Sequence, residues 1–223
     1  MSDERKWAPD SFHPPQDLEA ISFDAHLCKD MNWIKKHMMW KENRQTGAGL
    51  SNLGNTCFLN ATLQCIAYTP PFAQYLMEQR HLEHWRLQDT DMFTILSKVI
   101  KGMHHRPNGV FKPTPIIQRL PLLNRIFHVG RQEDAHEFLR CLLYALHKDE
   151  LKNAGLKESK AGRRAETNAI HTIYGGYLRN QVHCPSCGHN SNTFDPFLDL
   201  SLDVSNGVRT LGQALLRYVV SCT

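Results

Sequence analysis

The sequence predicts an α+β fold in which helices come first and strands follow. Two patterns carry this. From about residue 24 to residue 147, apolar residues recur at spacings of three and four. From residue 174 the period shortens to two, around a single Cys-x-x-Cys pair. Helices segregated ahead of strands are the α+β arrangement. Composition agrees with a folded domain: of 223 residues, 41% are hydrophobic and 22% charged. That is enough to bury a core without disulfide staples. A net charge of +4 is far from the basic footprint of a nucleic-acid binder, so none is expected as partner. No apolar run approaches the roughly 18 residues of a membrane helix, and no membrane partner is expected. Met1–Lys6 leads into Trp-Ala-Pro rather than an apolar signal. Seven scattered cysteines fit a reducing compartment, cytoplasm and/or nucleus, where clustered Cys serve metal or catalysis.

Taken in order, residues 1–23 hold Pro9, Pro14 and Pro15 and no steady period, which reads as a flexible arm. Residues 24–42 read as a helix, with Leu27, Met31, Ile34 and Met38 on one stripe and Lys29, Lys35, Lys36 and Lys41 beside it. Such a basic amphipathic helix binds a surface or a partner, or docks its apolar side on the domain behind it; docking is the expectation. Residues 1–46 are thus an N-terminal extension, and 47–223 the main domain. Gly47–Asn55 is a Gly- and Asn-rich turn. After Cys57, helical spacing of Leu59, Leu63 and Ile66 predicts a helix, with Asn55 or Thr56 as N-cap and Pro70-Pro71 as its end. Helices are expected near 72–87 and 91–103, then a loop from His105 to Pro115.

The clearest helix is predicted over 131–147, with Ala135, Phe138, Leu139, Leu142 and Leu146 inward and Gln132–Asp134 in its first turn. Residues 148–168 read as a polar linker or frayed helix. Strands are expected over 174–182, with a tight backbone approach at Gly175-Gly176, and over 198–204. A last helix covers 210–220, with Leu211, Leu215 and Val219 inward.

Chemistry concentrates at Cys57. A nucleophilic cysteine works as the thiolate, and a helix N-terminus favours that anion. Glycines let a substrate backbone approach, and an Asn side chain or backbone N–H groups can hold a tetrahedral oxyanion. The competing reading is a Gly turn into a helix carrying an inert Cys.

Gly49-Leu50-Ser51-Asn52-Leu53-Gly54-Asn55-Thr56-Cys57-Phe58-Leu59-Asn60-Ala61-Thr62-Leu63-Gln64-Cys65 resembles the Cys box of the ubiquitin-specific protease family, nearly unbroken over 17 positions. Gly130–Leu139 resembles the family's Gln-Asp-rich helix. Tyr174-Gly175-Gly176 with Val182–Gly188, and Phe194–Leu202, resemble two further motifs in the family's order. The resemblance spans about 47–204. It implies a papain-like cysteine protease, with a helical thumb followed by the start of β-rich fingers and palm, truncated at the C-terminus. Such enzymes cleave the bond after the C-terminal Gly of ubiquitin, so ubiquitin and ubiquitinated proteins are the implied partners. Carried over by position, Cys57 is the nucleophile and Asn52 the oxyanion-hole side chain. Asp134 and Glu137 lie near the channel for ubiquitin's basic C-terminal tail, or simply form a helix N-terminal charge pair.

Two parts of that machinery are incomplete in the sequence. The family's general-base His comes from a Gly-rich box that is not found here. Of the two histidines weighed, His189 belongs to the Cys184–His189 cluster and His136 to the 131–147 helix. Cys184 and Cys187 form half of a structural zinc site, whose tetrahedral form wants four ligands. His183 and His189 are the substitutes at hand, and no organic cofactor is expected. Three readings follow: a deubiquitinase whose own chain is inactive for want of the base, a ubiquitin-binding pseudoenzyme or fragment, and a zinc-ribbon interaction module. Exposed sheet edges are expected near the C-terminus.

Overall fold

The computed structural model describes residues 31–42, 45–78, 90–205 and 207–220. The chain divides between Thr172 and Ile173 into two compact units. The arm read over 1–23 lies outside the described residues.

The first unit is helical. Of the helix expected over 24–42, α1 is described over Met31–His37. Trp33 stacks on His37 at 4.2 Å and meets the edge of Tyr75 at 5.6 Å. Gln74 donates to the carbonyls of His37 and Met39 and accepts from the Lys41 N–H. The segment is therefore docked, as expected, on the helix that carries Gln74 and Tyr75. Met38 and Met39 remain on the surface.

α2, Cys57–Ala67, buries Phe58, Leu59, Thr62, Leu63, Ile66 and Ala67, one face at helical spacing. Pro70-Pro71 does more than end it: the two prolines occupy the first turn of α3, Pro70–Met77. A proline there loses no hydrogen bond, because the first N–H groups of a helix have no intrahelical partner. The remainder of the helix expected to residue 87 falls on residues outside the description. α4, Met92–His104, lies with Phe93, Leu96, Val99 and Ile100 inside.

The expected loop of 105–115 contains a strand. β1, Gly49–Leu50, pairs in parallel with β2, Val110–Phe111. Hydrogen bonds from Ala48 N–H to the Met103 carbonyl and from Ser51 N–H to the Phe111 carbonyl extend this seam. Two residues per strand leave no period in the sequence. Two short helices follow, α5 at Thr114–Ile117 and α6 at Leu120–Leu123.

α7 runs from Ala135 to Asn153, starting after Gln132–Asp134 and passing the predicted end at 147. Its inner face is Phe138, Leu142, Leu143, Leu146 and Leu151; Ala135 is exposed and Leu139 half-buried. The last turns persist because they are tied to their neighbours. Asp149 accepts from the Phe93 N–H, and buried Glu150 accepts from the Tyr75 hydroxyl at 2.7 Å. Burial and the Glu150 carboxylate both push the Tyr75 hydroxyl well above its usual pKa. The expected linker is also structured: α8 at Glu158–Ala161, a 3-10 turn at Gly162–Thr167, then α9 at Ala169–Tyr174.

The second unit holds a hairpin. β3, Gly176–His183, pairs antiparallel with β4, Asn190–Phe197. Gly176 sits under the Phe197 ring, where an added Cβ falls 2.7 Å from the ring, so the expected close approach is real. The strand expected over 198–204 does not form. Leu198, Leu200 and Leu202 are half-buried and Asp199 and Ser201 exposed, so the alternation holds to Leu202, but Val204 is 74% exposed. No ladder accompanies it among the described residues, and a strand is defined by its partner. The hairpin likewise pairs only with itself there, leaving both outer edges unpaired as expected. α10, Leu211–Val220, corrects the inward assignment of its leucines. Ala214 is buried, whereas Leu211 and Val219 are 68% and 70% exposed.

Candidate active site

The Gly/Asn-rich turn becomes a closed loop whose organiser is Asn52. Its Oδ1 accepts from the backbone N–H of Gly54 and of Thr56, both at 3.1 Å, and from the Thr56 hydroxyl at 3.3 Å. Two N–H donors converge there, so the atom facing them is the amide oxygen. The amide NH2 of Asn52 is thereby left as the outward end of the side chain. Thr56 Oγ1 also accepts from the Leu53 N–H. Gly54 and Asn55 turn the chain through left-handed backbone, at φ +99° and +53°.

Thr56 stands at the N-cap, as one of the two expected positions, yet its side chain does not cap α2. Its hydroxyl is spent inside the loop. The first intrahelical bond runs from the Asn60 N–H to the Thr56 carbonyl. The N–H groups of Cys57, Phe58 and Leu59 precede it and have no helical acceptor. Cys57, the first residue of α2, is exposed. An exposed thiol, an uncapped helix end and an anchored amide thus occupy six consecutive residues.

The frame behind this loop is fixed. Asn60 donates to the Ser51 carbonyl and Gln64 to the Ala48 carbonyl. Phe58, Phe127 and Phe138 form a ring cluster with centroids 5.6 to 6.3 Å apart, joining α2 to α7. Asn55 Nδ2 donates to the Gly130 carbonyl at 2.7 Å, 75 residues away in sequence. That bond brings the loop preceding α7 alongside the Cys loop. The sequence offered Asn55 as a possible N-cap, whereas its side chain instead bonds Gly130, and the roles of Asn60 and Gln64 were not anticipated. The available signal was an unusual density of Asn and Gln around one Cys.

Asp134 is the N-cap of α7, accepting from the Glu137 N–H at 2.8 Å. The Glu137 carboxylate faces Arg140 at 3.3 Å and lies 3.6 Å from the Cys141 sulfur. Both acids therefore act within their own helix end. Burial, with Glu137 beside it, pushes the Cys141 thiol up, which separates it from a nucleophile. His136 is exposed in the same first turn. Cys57 makes no hydrogen bond to a histidine among the described residues.

Cys184 and Cys187 belong to the other unit, at the tip of the β3–β4 hairpin. The Gly188 N–H closes the turn onto the Cys184 carbonyl, and the Cys184 N–H donates to the His189 carbonyl. N–H groups of Cys187 and Ser186 and the Cys187 side chain hold the Cys184 thiol below its usual range. His183 hydrogen-bonds Asn190. Among the described residues no group of three or more ligand-type side chains comes together, so Cys184 and Cys187 stand without further ligand-type partners there.

Comparison with known proteins locates this arrangement. The ubiquitin carboxyl-terminal hydrolase family model matches residues 48–209. Ubiquitin carboxyl-terminal hydrolase 23 of Arabidopsis thaliana is 41% identical over 175 residues, 78% of this chain and 20% of that protein. Ubiquitin carboxyl-terminal hydrolase 42 of Homo sapiens is 37% identical over 183 residues, 82% of this chain and 13% of that protein. The chain thus spans a fifth or less of the length of these two relatives. Among solved structures, the SAGA DUB module of Ubp8, Sgf11, Sus1 and Sgf73 bound to monoubiquitin matches with a TM-score of 0.62 at 26% identity. That match covers 82% of this chain and 41% of the other. The same module bound to ubiquitin aldehyde matches with a TM-score of 0.60 at 26% identity, over 82% and 40%. With its family model covering most of the chain and the Cys loop folded as described, this chain belongs to the ubiquitin carboxyl-terminal hydrolase family.

Proposed function

We infer that the chain serves thiol-dependent removal of ubiquitin, with Cys57 as nucleophile. One observation carries the reading: the anchored Asn52 amide and the open N–H groups of α2 flank an exposed Cys57. In this scheme the Cys57 thiolate attacks the carbonyl of the C-terminal Gly of ubiquitin. The resulting oxyanion is met by the Asn52 NH2 and backbone N–H groups, donors that need no reorganisation. The tetrahedral species collapses to a thioester as the C–N bond breaks, the amine leaves with the proton the thiol gave up, and water then attacks the thioester, breaking the C–S bond to release ubiquitin and restore the thiol. Asp134 and Glu137, in the first turn of α7, are proposed to offer negative charge to the basic tail of ubiquitin besides their contacts within that helix end. No described helix is long and apolar enough to cross a membrane. The cytoplasm or nucleus is the proposed setting.

A second reading has its own support, since no imidazole is hydrogen-bonded to Cys57 among the described residues. Proton transfer from the thiol and to the leaving amine needs such a group. Residues 1–223 by themselves are therefore proposed to turn over negligibly while still engaging ubiquitin. Zinc, if bound, would be held by Cys184 and Cys187 with two further ligands, as a structural clamp on the hairpin tip.

A ubiquitin probe with a C-terminal electrophile separates the readings. Covalent capture that disappears in Cys57→Ala supports an activated thiol. Binding without capture supports the ubiquitin-binding form. Zinc content with neither supports an interaction module. Release of a fluorophore from the ubiquitin C-terminus by residues 1–223 alone would overturn the proposed lack of turnover.

A further inference from the structure

We propose that Asn55 is a positioning residue for the Cys57 loop, acting through a tie to the loop that precedes α7. The base of the Cys loop is held at several points. Ser51 is hydrogen-bonded through both its N–H and its carbonyl, and Phe58 is packed against Phe127 and Phe138. Its tip, Gly54-Asn55, is different. Among the described residues, the tip reaches another part of the chain through one hydrogen bond, from Asn55 Nδ2 to the Gly130 carbonyl.

The acceptor end of that tie is itself braced. The Arg131 N–H donates to the His128 carbonyl, and the Glu133 carboxylate accepts from the His128 N–H. Gly130 thus presents its carbonyl from a closed turn, at φ +88°. A Cβ on Gly54 would meet the Gly130 Cα only at 4.0 Å, an ordinary contact, so it is the left-handed backbone of both residues, not packing, that favours glycine there.

Asn suits the donor position on two counts. It tolerates left-handed backbone better than other residues with a side chain, and its amide supplies the N–H. Asn55 lies between Gly54 and Thr56, the two residues whose N–H groups fix the Asn52 oxygen. Holding Asn55 therefore holds the orientation of the Asn52 amide, and with it the outward NH2. The reaction this serves rests on the deubiquitinase reading.

The test uses residues 1–223 carrying Asn55→Asp or Asn55→Gly. Asp keeps the size and the left-handed tolerance but has no N–H for the Gly130 carbonyl. Gly keeps the backbone and removes the side chain. Two quantities are read: hydrogen exchange at the Gly54 and Thr56 amides, and capture by a ubiquitin probe with a C-terminal electrophile. In both variants, exchange is expected to accelerate about fivefold or more. The maximal capture rate should fall by a similar factor, with the half-saturating probe concentration unchanged and the melting temperature lowered by no more than about 2–4 °C. Unchanged exchange overturns the tie. Faster exchange with an unchanged capture rate overturns the positioning role. If the unsubstituted chain is not captured at all, the deubiquitinase reading falls. The proposal is then decided by exchange alone, acceleration sustaining it and its absence overturning it.

Discussion

Asp134 combines two roles that one pair of substitutions separates. Its carboxylate accepts from the Glu137 N–H at 2.8 Å and so caps α7, and in the proposed function its charge faces the basic tail of ubiquitin. Asn caps a helix about as well as Asp, whereas Ala does not cap. Asp134→Ala should therefore cost about 1 kcal/mol of stability. For a chain of this size that lowers the melting temperature by about 2–4 °C. Asp134→Asn gives up only the interaction of charge with the helix dipole, about 0.3–1 kcal/mol, and should stay near the low end because the site is exposed. For ubiquitin the difference between the two disappears, since both variants lose the charge. An exposed ion pair is worth about 0.2–1 kcal/mol, a weakening of about 1.4- to 5-fold. Thermal melts and ubiquitin titrations at low salt read the two effects. Equal destabilisation by Asn and Ala would show that the cap is not what Asp134 contributes. Unchanged ubiquitin affinity in both would remove Asp134 from the binding surface.

Further outcomes follow from the same structure. Phe138→Ala opens the ring cluster between α2 and α7 and should cost about 3–5 kcal/mol, read by urea unfolding. A loss under about 1 kcal/mol would show the cluster to be loosely packed. Burial, with His147 beside it, lowers His171 to about 4, below its unfolded value. The unfolded chain then takes the proton first, so stability is full above about pH 6.5 and declines toward pH 4. His171→Gln should flatten that decline, and a denaturation profile with the same acid slope would contradict this. Dialysis against zinc followed by metal analysis should show weak uptake that Cys184→Ser abolishes; uptake surviving that substitution would place the metal elsewhere.

Much of the site was legible in the sequence because its chemistry is local. Asn52 through Cys57 are contiguous, and an Asn side chain closing on N–H groups two and four residues ahead needs nothing from the rest of the chain. The period of three and four likewise placed α2, α4 and α7. Elements whose existence depends on a distant partner were not legible. β1 and β2 are two residues each and exist only because residues 49–50 meet 110–111. The alternation at 198–202 fulfils a strand's pattern without a strand's pairing. α10 carries a helix's apolar stripe with most of it exposed. Pattern records which face a segment offers, not whether anything covers it.

The sequence by itself determined the α+β class, the family and the position of the thiol, all properties of short contiguous motifs. Only the tertiary structure decided that Asn55 reaches the Gly130 carbonyl and that the Thr62 hydroxyl reaches the Ala135 carbonyl. Those are hydrogen bonds chosen among several available partners. Each donor and acceptor was visible in the chain, but which ones meet is fixed by the packing of α2 against α7 through Phe58, Phe127 and Phe138.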